Sequence, residues 1–196
     1  MDQKGDVKQV FEIQEKLLGD AVVISGFSSE DNRGSFFKNF EKDIYQSIGI
    51  DFNVNETFVS VSAKNVIRGM HFQLNNPQAK LVSVINGSVY DVIVDLRKDS
   101  SNYGKWVGVE LSNRNNLSLY IPREFAHGFL SLEDKSTVLY QCDGRYDKVS
   151  DTGIRFDDPD VGIDWRIDDL SNVICSERDR GLMTFKKFEM LDEVFK

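Results

Sequence analysis

Several features are missing from this 196-residue sequence, and each absence excludes a class of protein. No stretch approaches the ~18 consecutive apolar residues that a membrane-spanning helix needs. The first residues, Met1-Asp2-Gln3-Lys4-Gly5-Asp6, lack the apolar run of a signal peptide, so a cytoplasmic protein is the simplest expectation. Cysteine occurs twice, as Cys142 and Cys175. That is too few for a disulfide scaffold, and there is no CxxC spacing for a metal knuckle. Neither cysteine has a base beside it in sequence, so both read as ordinary core or half-buried thiols rather than nucleophiles. Neither GxxxxGK[ST] nor GxGxxG occurs, so any bound nucleotide must be held by scattered Arg and Lys side chains. The net charge of −8 argues against a nucleic-acid partner, whose phosphates want a basic face. It leaves room for a small anionic ligand. Histidine is also scarce, with only His71 and His127.

What is present points to strands. Hydrophobic residues make up 40% of the chain and aromatics 11%, enough for a sizeable core. Ala21 to Ser25 is a short β-branched run and predicts a strand. Residues 11–18 fit either a strand or a short helix. Ser29 to Gly34 reads as a polar turn, and Phe36 to Asp51 carries the mixed spacing of a helix. From residue 57 the pattern becomes repetitive. Thr57–Ser62, Lys80–Ile85, Ser88–Leu96, Trp106–Leu111, Leu117–Ile121, Gly128–Leu132 and Thr137–Gln141 are short strands separated by turns. Such spacing predicts an antiparallel sandwich or barrel. Asn86-Gly87, between two apolar runs, predicts a hairpin. The segment from Trp165 onward has room for a helix or two. There is no repeat, no low-complexity tract and no Pro-rich linker. One domain over residues 1–196 is expected, with 1–20 as an N-terminal extension.

Two places carry chemistry. His71 sits in Arg68-Gly69-Met70-His71-Phe72-Gln73. The inward face of a small barrel is normally apolar, so Arg68, His71 or Gln73 turned inward builds a polar pocket instead. His127 sits in Phe125-Ala126-His127-Gly128, at a strand start where a barrel mouth would place a ligand. A cupin-type metal site wants about three His and a Glu, with an HxH pair. This chain has two His and Phe72-Gln73 after the first, so no metal is expected.

The motifs together resemble a known family. Arg68–Gln73, Lys80-Leu81-Val82, Gly87 to Arg97, Ile121-Pro122, Phe125–Phe129, Gly153–Pro159 and Gly162–Trp165 are similar in order and spacing to the dTDP-4-dehydrorhamnose 3,5-epimerases, from about residue 20 to residue 180. The resemblance implies an all-β fold, a double-stranded β-helix (jelly-roll, cupin-like) barrel with short helices at its ends. It implies a homodimer with an exchanged N-terminal segment, and no cofactor. It implies a nucleotide-diphosphate sugar as substrate, epimerised at C3, C5 or both beside its 4-keto group.

The resemblance also assigns roles. His71 matches the general base and Asp179 its paired carboxylate. Tyr140 matches the general acid, and Lys80 the cation near the enolate oxygen, aided by Arg68 and His127. Arg33 and Phe36 match the nucleotide-diphosphate side. Tyr146 lies near a second family tyrosine and is left outside the catalytic set. Two positions depart from the pattern. Lys38 stands where a Glu is frequent, and Glu56–Ser62 lacks the usual Gln and Asn. Both fall on the nucleotide side. The alternatives are therefore a single-centre epimerase acting on a CDP- or other NDP-linked sugar, or a non-catalytic sugar-binding cupin.

Overall fold

The computed structural model describes residues 10–192 and 194–195. In chain order the strands are β1 (Glu12–Leu17), β2 (Ala21–Ser25), β3 (Phe27–Asp31), β4 (Gly34–Lys38), β5 (Glu56–Ser62), β6 (Ile67–Gln73), β7 (Lys80–Asn86), β8 (Ser88–Asp95), β9 (Trp106–Ser112), β10 (Leu117–Ile121), β11 (Phe125–Ser131), β12 (Ser136–Cys142) and β13 (Asp151–Gly153). Helix α1 (Lys42–Ser47) separates β4 from β5, and α2 (Glu177–Arg180) and α3 (Phe185–Glu189) close the chain. The segment left open at residues 11–18 is a strand, β1, paired with β2 of the same chain. Among the described residues no helix is long and apolar enough to cross a membrane.

Two antiparallel sheets face each other. One runs β1-β2-β10-β7-β12-β5 and the other β13-β6-β11-β8-β9, while β3 and β4 form a separate hairpin. The spacing of short strands implied an antiparallel sandwich or barrel, and the family resemblance implied this all-β jelly roll. Between the sheets lies an apolar layer, with Val82, Val84 and Leu119 from the first sheet meeting Val89, Ile93 and Phe129 from the second. A second layer covers the outer face of the five-stranded sheet. There Met70, Phe72, Tyr90 and Val92 pack under Trp165, Phe185 and Phe188 of the C-terminal segment. A third sits outside the six-stranded sheet, where Val22, Ile24 and Leu81 pack against Tyr45 and Phe52. Strand β8 is buried at every position because both of its faces are covered. Each fully buried large apolar side chain contributes roughly 1.5–3 kcal/mol. The three layers together hold the sheets at a fixed separation, and a polar pocket between them depends on that.

Three sequence expectations are corrected. Asn86-Gly87 is not a hairpin turn. β7 pairs with β10 and β12, whereas β8 pairs with β11 and β9, so the chain crosses from one sheet to the other at Gly87. A type I′ turn needs positive φ at both central residues. Here Gly87 has φ 75° and Asn86 does not share that region. The glycine is needed for space too, since a Cβ there would lie 2.8 Å from Ser136 Oγ. The predicted helix over Phe36–Asp51 shrinks to Lys42–Ser47. Phe36 and Phe37 belong to β4, and Phe40 leaves the helical period to pack edge-on against Tyr45 and Phe52. The polar turn is narrower than residues 29–34: Ser29–Asp31 and Gly34 lie in the β3–β4 hairpin, with only Asn32 and Arg33 between the strands. The short strand β13 escaped the sequence reading because three residues carry no period.

Candidate active site

Between the sheets, bordering the apolar layer at Phe129 and Tyr140, lies a cavity of about 250 Å³. Its walls come from both sheets. Strands β6 and β11 bring Arg68, His71, Gln73 and His127 from one side, and β7 and β12 bring Lys80 and Tyr140 from the other. Strand alternation would send Arg68 and His71, three residues apart, to opposite faces. A register shift in the β6–β11 pairing resets the alternation, so both line the cavity.

His71 Nε2 lies 2.8 Å from Asp179 Oδ1. The carboxylate is almost fully buried, and its other oxygen accepts the Gly69 N–H at 3.1 Å. Asp179 is delivered by α2, whose N-cap Ser176 accepts the Asp179 N–H through Oγ. Burial alone would raise the Asp179 pKa. The bond and charge of His71 and the Gly69 N–H outweigh it and hold the carboxyl below its usual 3.8. An ionised carboxylate only accepts, so Nε2 carries the ring proton. In the uncharged form of the ring the lone pair is then on Nδ1, which has no partner among the described residues.

The second histidine is also paired. His127 Nε2 lies 2.9 and 3.0 Å from the two oxygens of Asp91, and both residues are buried. Sequence reasoning missed Asp91. A signal existed: an aspartate stands mid-strand between Tyr90 and Val92 in β8, and a buried carboxylate needs a partner.

Tyr140 is buried, and its ring is stacked on Phe58 at 4.6 Å between centroids. Desolvation raises its pKa, so the phenol keeps its proton until a reaction takes it. Lys80 is partly buried, and its ammonium has no hydrogen bond or ion pair among the described residues. Desolvation lowers its pKa, opposed by Cys142, Asp151, Asp91 and Glu56. Such a cation is set to accept an oxygen that becomes negative. The Cys142 thiol beside it is buried and pushed up to about 11, so it stays neutral. Cys175 is half-buried.

Other expected residues are placed differently. Arg68 donates to Ser62 Oγ at 3.0 Å and to the Val61 carbonyl, and among the described residues no carboxylate pairs with it. Gln73 lines the cavity, but its amide is engaged. It donates to the Asn76 and Arg145 carbonyls and accepts the Asp147 N–H, so it ties loops together. Arg33 and Phe36 do not reach the cavity of their own chain. They sit on the β3–β4 hairpin, Arg33 paired with Asp31 and its side chain 86% exposed, Phe36 53% exposed. Lys38 pairs with Glu41. Tyr146 stands at the mouth. Its N–H donates to Glu56 and its phenol to Asp151, whose same oxygen also accepts from Arg178 at 2.7 Å. Among the described residues no cluster of three or more His, Cys, Asp or Glu could hold a metal ion.

Chemically, the cavity offers an imidazole held by a carboxylate, a protonated phenol on the facing sheet, and a desolvated cation. That set can remove a proton from carbon, stabilise the resulting oxyanion and return a proton from the other side. Known proteins resemble this chain over most of its length. Residues 15–187 match the family model described as dTDP-4-dehydrorhamnose 3,5-epimerase. The enzyme of that name from Methanothermobacter thermautotrophicus is 44% identical over 164 residues, covering 84% of this chain and 89% of the relative. The solved dTDP-6-deoxy-D-glucose-3,5-epimerase from Legionella pneumophila, in complex with dTDP-4-keto-L-rhamnose, superposes with a TM-score of 0.86 at 34% identity, covering 93% of this chain and 95% of that one. A 3'-monoepimerase from Streptomyces bikiniensis, in complex with dTDP-quinovose, gives 0.82 at 31% identity, covering 90% and 89%.

Proposed function

This chain belongs to the dTDP-4-dehydrorhamnose 3,5-epimerase family, and we propose on that premise that its cavity epimerises a dTDP-linked 4-keto-6-deoxy sugar with His71 as base and Tyr140 as acid. The chain is an isomerase, a sugar epimerase. The observation that carries the residue roles is the His71–Asp179 bond of 2.8 Å on one sheet, facing Tyr140 and the unpaired Lys80 on the other.

In the proposed reaction, His71 Nδ1 takes the proton from the carbon beside the ketone. The C–H electrons form a carbon–carbon double bond, and the ketone oxygen becomes an enolate. Lys80 stabilises that oxygen, with Arg68 and His127 beside it; positive charge in a water-poor cavity is far more effective than in bulk solvent. Asp179 holds the imidazolium that forms. Tyr140 then gives its phenolic proton to the opposite face of the carbon. Exchange with solvent returns the proton from His71 and restores the phenol. No step calls for a redox cofactor. C3 and C5 flank one ketone, so one base–acid set serves either carbon if the ring turns over.

Arg33 and Phe36 enter this reading through a second copy of the chain. The β3–β4 hairpin carries both outward, where it would meet the nucleotide diphosphate in the cavity of a homodimer partner. The likeness to the 3'-monoepimerase supports a second reading, inversion at one carbon only. Incubation in D₂O with dTDP-4-keto-6-deoxyglucose and with its CDP analogue, followed by proton NMR, separates these. Deuterium entering at C3 and C5 of the dTDP sugar is the expected result. Entry at one carbon gives the monoepimerase reading, and entry with the CDP sugar alone moves the substrate. No entry with either sugar defeats the catalytic assignment.

A further inference from the structure

Strand β5 carries a side chain that the reaction above leaves unused. In the β5–β12 pairing, Phe58 lies opposite Tyr140 and Ser60 opposite Val138. Directly opposed residues and those two further along share a face. Phe58, Ser60 and Tyr140 therefore point the same way, and all three line the cavity. The Ser60 hydroxyl is buried and has no hydrogen-bond partner among the described residues. Buried hydroxyls are nearly always paired, so an orphan facing a pocket needs an explanation. Arg68, a cavity-lining donor on the facing sheet, is bonded to Ser62. The Tyr140 hydroxyl, diagonal to Ser60, is not hydrogen-bonded to any described residue either.

We propose that Ser60 is a positioning residue for Tyr140: its hydroxyl turns to donate a hydrogen bond to the phenolate oxygen that appears once Tyr140 has given up its proton. No bond to carbon and no proton transfer by serine is involved. The proton goes from the phenol to the sugar carbon, and the serine O–H stays intact. A hydroxyl rotor on a neighbouring strand meets this need because it turns without moving the backbone. Burial makes the phenolate costly. The nearby Ser60 hydroxyl is the group that most opposes that burial, ahead of Arg68, although its geometry falls short of a hydrogen bond.

The inference rests on Tyr140 being the acid, so the experiment includes Tyr140→Phe. The intact protein is incubated in D₂O with dTDP-4-keto-6-deoxyglucose. NMR then follows two quantities, deuterium entering with retained configuration and deuterium entering with inversion. The first needs His71 but not Tyr140, because removal and return of the proton share one face. The second needs Tyr140. Ser60→Ala should lower inversion by about ten- to a hundredfold, the worth of one hydrogen bond to a charged oxygen. Exchange with retention should stay within about twofold, and Ser60→Thr, which keeps the hydroxyl on a strand that tolerates β-branching, should restore inversion. If retention and inversion fall together with a raised KM, Ser60 is a substrate ligand and the inference is overturned. Unchanged inversion in Ser60→Ala overturns it as well. If Tyr140→Phe still inverts, the assignment of Tyr140 has failed first, and this inference with it.

Discussion

His71 and His127 face each other across β6 and β11, each bonded through Nε2 to an aspartate at 2.8 and 2.9 Å. Their surroundings differ. His127 and Asp91 are 5% and 0% exposed, on neighbouring strands of one sheet, whereas the His71 side chain is 28% exposed and its partner arrives on α2, 108 residues later. The first pair is built into the wall of the barrel. The second has a ring edge open to the cavity and a carboxylate clamped from behind by the Gly69 N–H. The same two residue types therefore serve two ends. Where both members are locked between strands, the pair fixes the position of a ring beside Tyr140, which it meets edge-on at 6.0 Å. Where the imidazole is partly exposed to the cavity, the pair can exchange a proton with a ligand.

The strongest way to break this comparison is to remove each imidazole. His71→Asn should lower solvent exchange at the sugar carbons by about 10²–10⁴-fold, the usual worth of a positioned base. The melting temperature should fall modestly, because Asp179 loses the ring but keeps the Gly69 N–H. His127→Asn should cost less exchange and more stability, because it leaves Asp91 as a buried carboxylate without its ring partner. Equal losses of exchange in the two variants would show that the two pairs do not divide the work.

Next come the carboxylates. Asp179→Asn lets the amide donate to Nε2, which favours the wrong tautomer and removes the lone pair from Nδ1. Exchange should fall by at least about tenfold with the fold intact by circular dichroism. Asp91→Asn should instead destabilise by roughly 1–3 kcal/mol, seen as a lower urea midpoint, with a smaller loss of exchange. Reversal of that order would exchange the two assignments.

A smaller effect sharpens the role of the facing sheet. Lys80 must be protonated to hold an enolate, and desolvation lowers its pKa below the ordinary 10.5. Activity should therefore fall as pH rises, with an alkaline limb below that value. Lys80→Arg keeps the charge at any accessible pH, and its residual activity should lose that limb. The smallest expected effect is on stability in acid. The Asp179 pKa is lower in the folded chain than its ordinary 3.8, so its contribution is complete above that value and is lost as pH falls toward the folded one. Thermal melts below pH 4 should show a shallower pH slope for Asp179→Asn than for the parent.

Much of this was readable along the chain. Period-two alternation from Thr57 to Gln141 announced short strands because alternate residues of a strand face opposite sides, a purely local rule. His71 and His127 stood out because reactive residues are scarce here and both interrupt apolar runs. Asp179, Tyr140 and Lys80 were reached through likeness to a family rather than through spacing. Arg33 and Phe36 were named the same way, and in their own chain they stand outside the cavity. Phe36–Asp51 went astray because aromatic packing of Phe40 against Tyr45 and Phe52 imitates a helical stripe.

The sequence by itself determined the class of structure and the inventory of chemistry: short alternating strands, no metal-type spacing, two histidines, and polar residues where a barrel interior is normally apolar. Only the tertiary structure decided which strands meet. Asn86-Gly87 satisfies the local pattern of a hairpin equally well, but β7 finds its partners in β10 and β12 and β8 in β11 and β9, so the same dipeptide became a crossing between sheets. It also decided that Asp91 rather than a solvent molecule completes His127, and that Ser60 lies beside Tyr140. The reason is physical. Alternation and turn preference are properties of a few adjacent residues, whereas sheet order and buried pairings depend on surfaces brought together from distant parts of the chain, and their energies exist only once those surfaces meet.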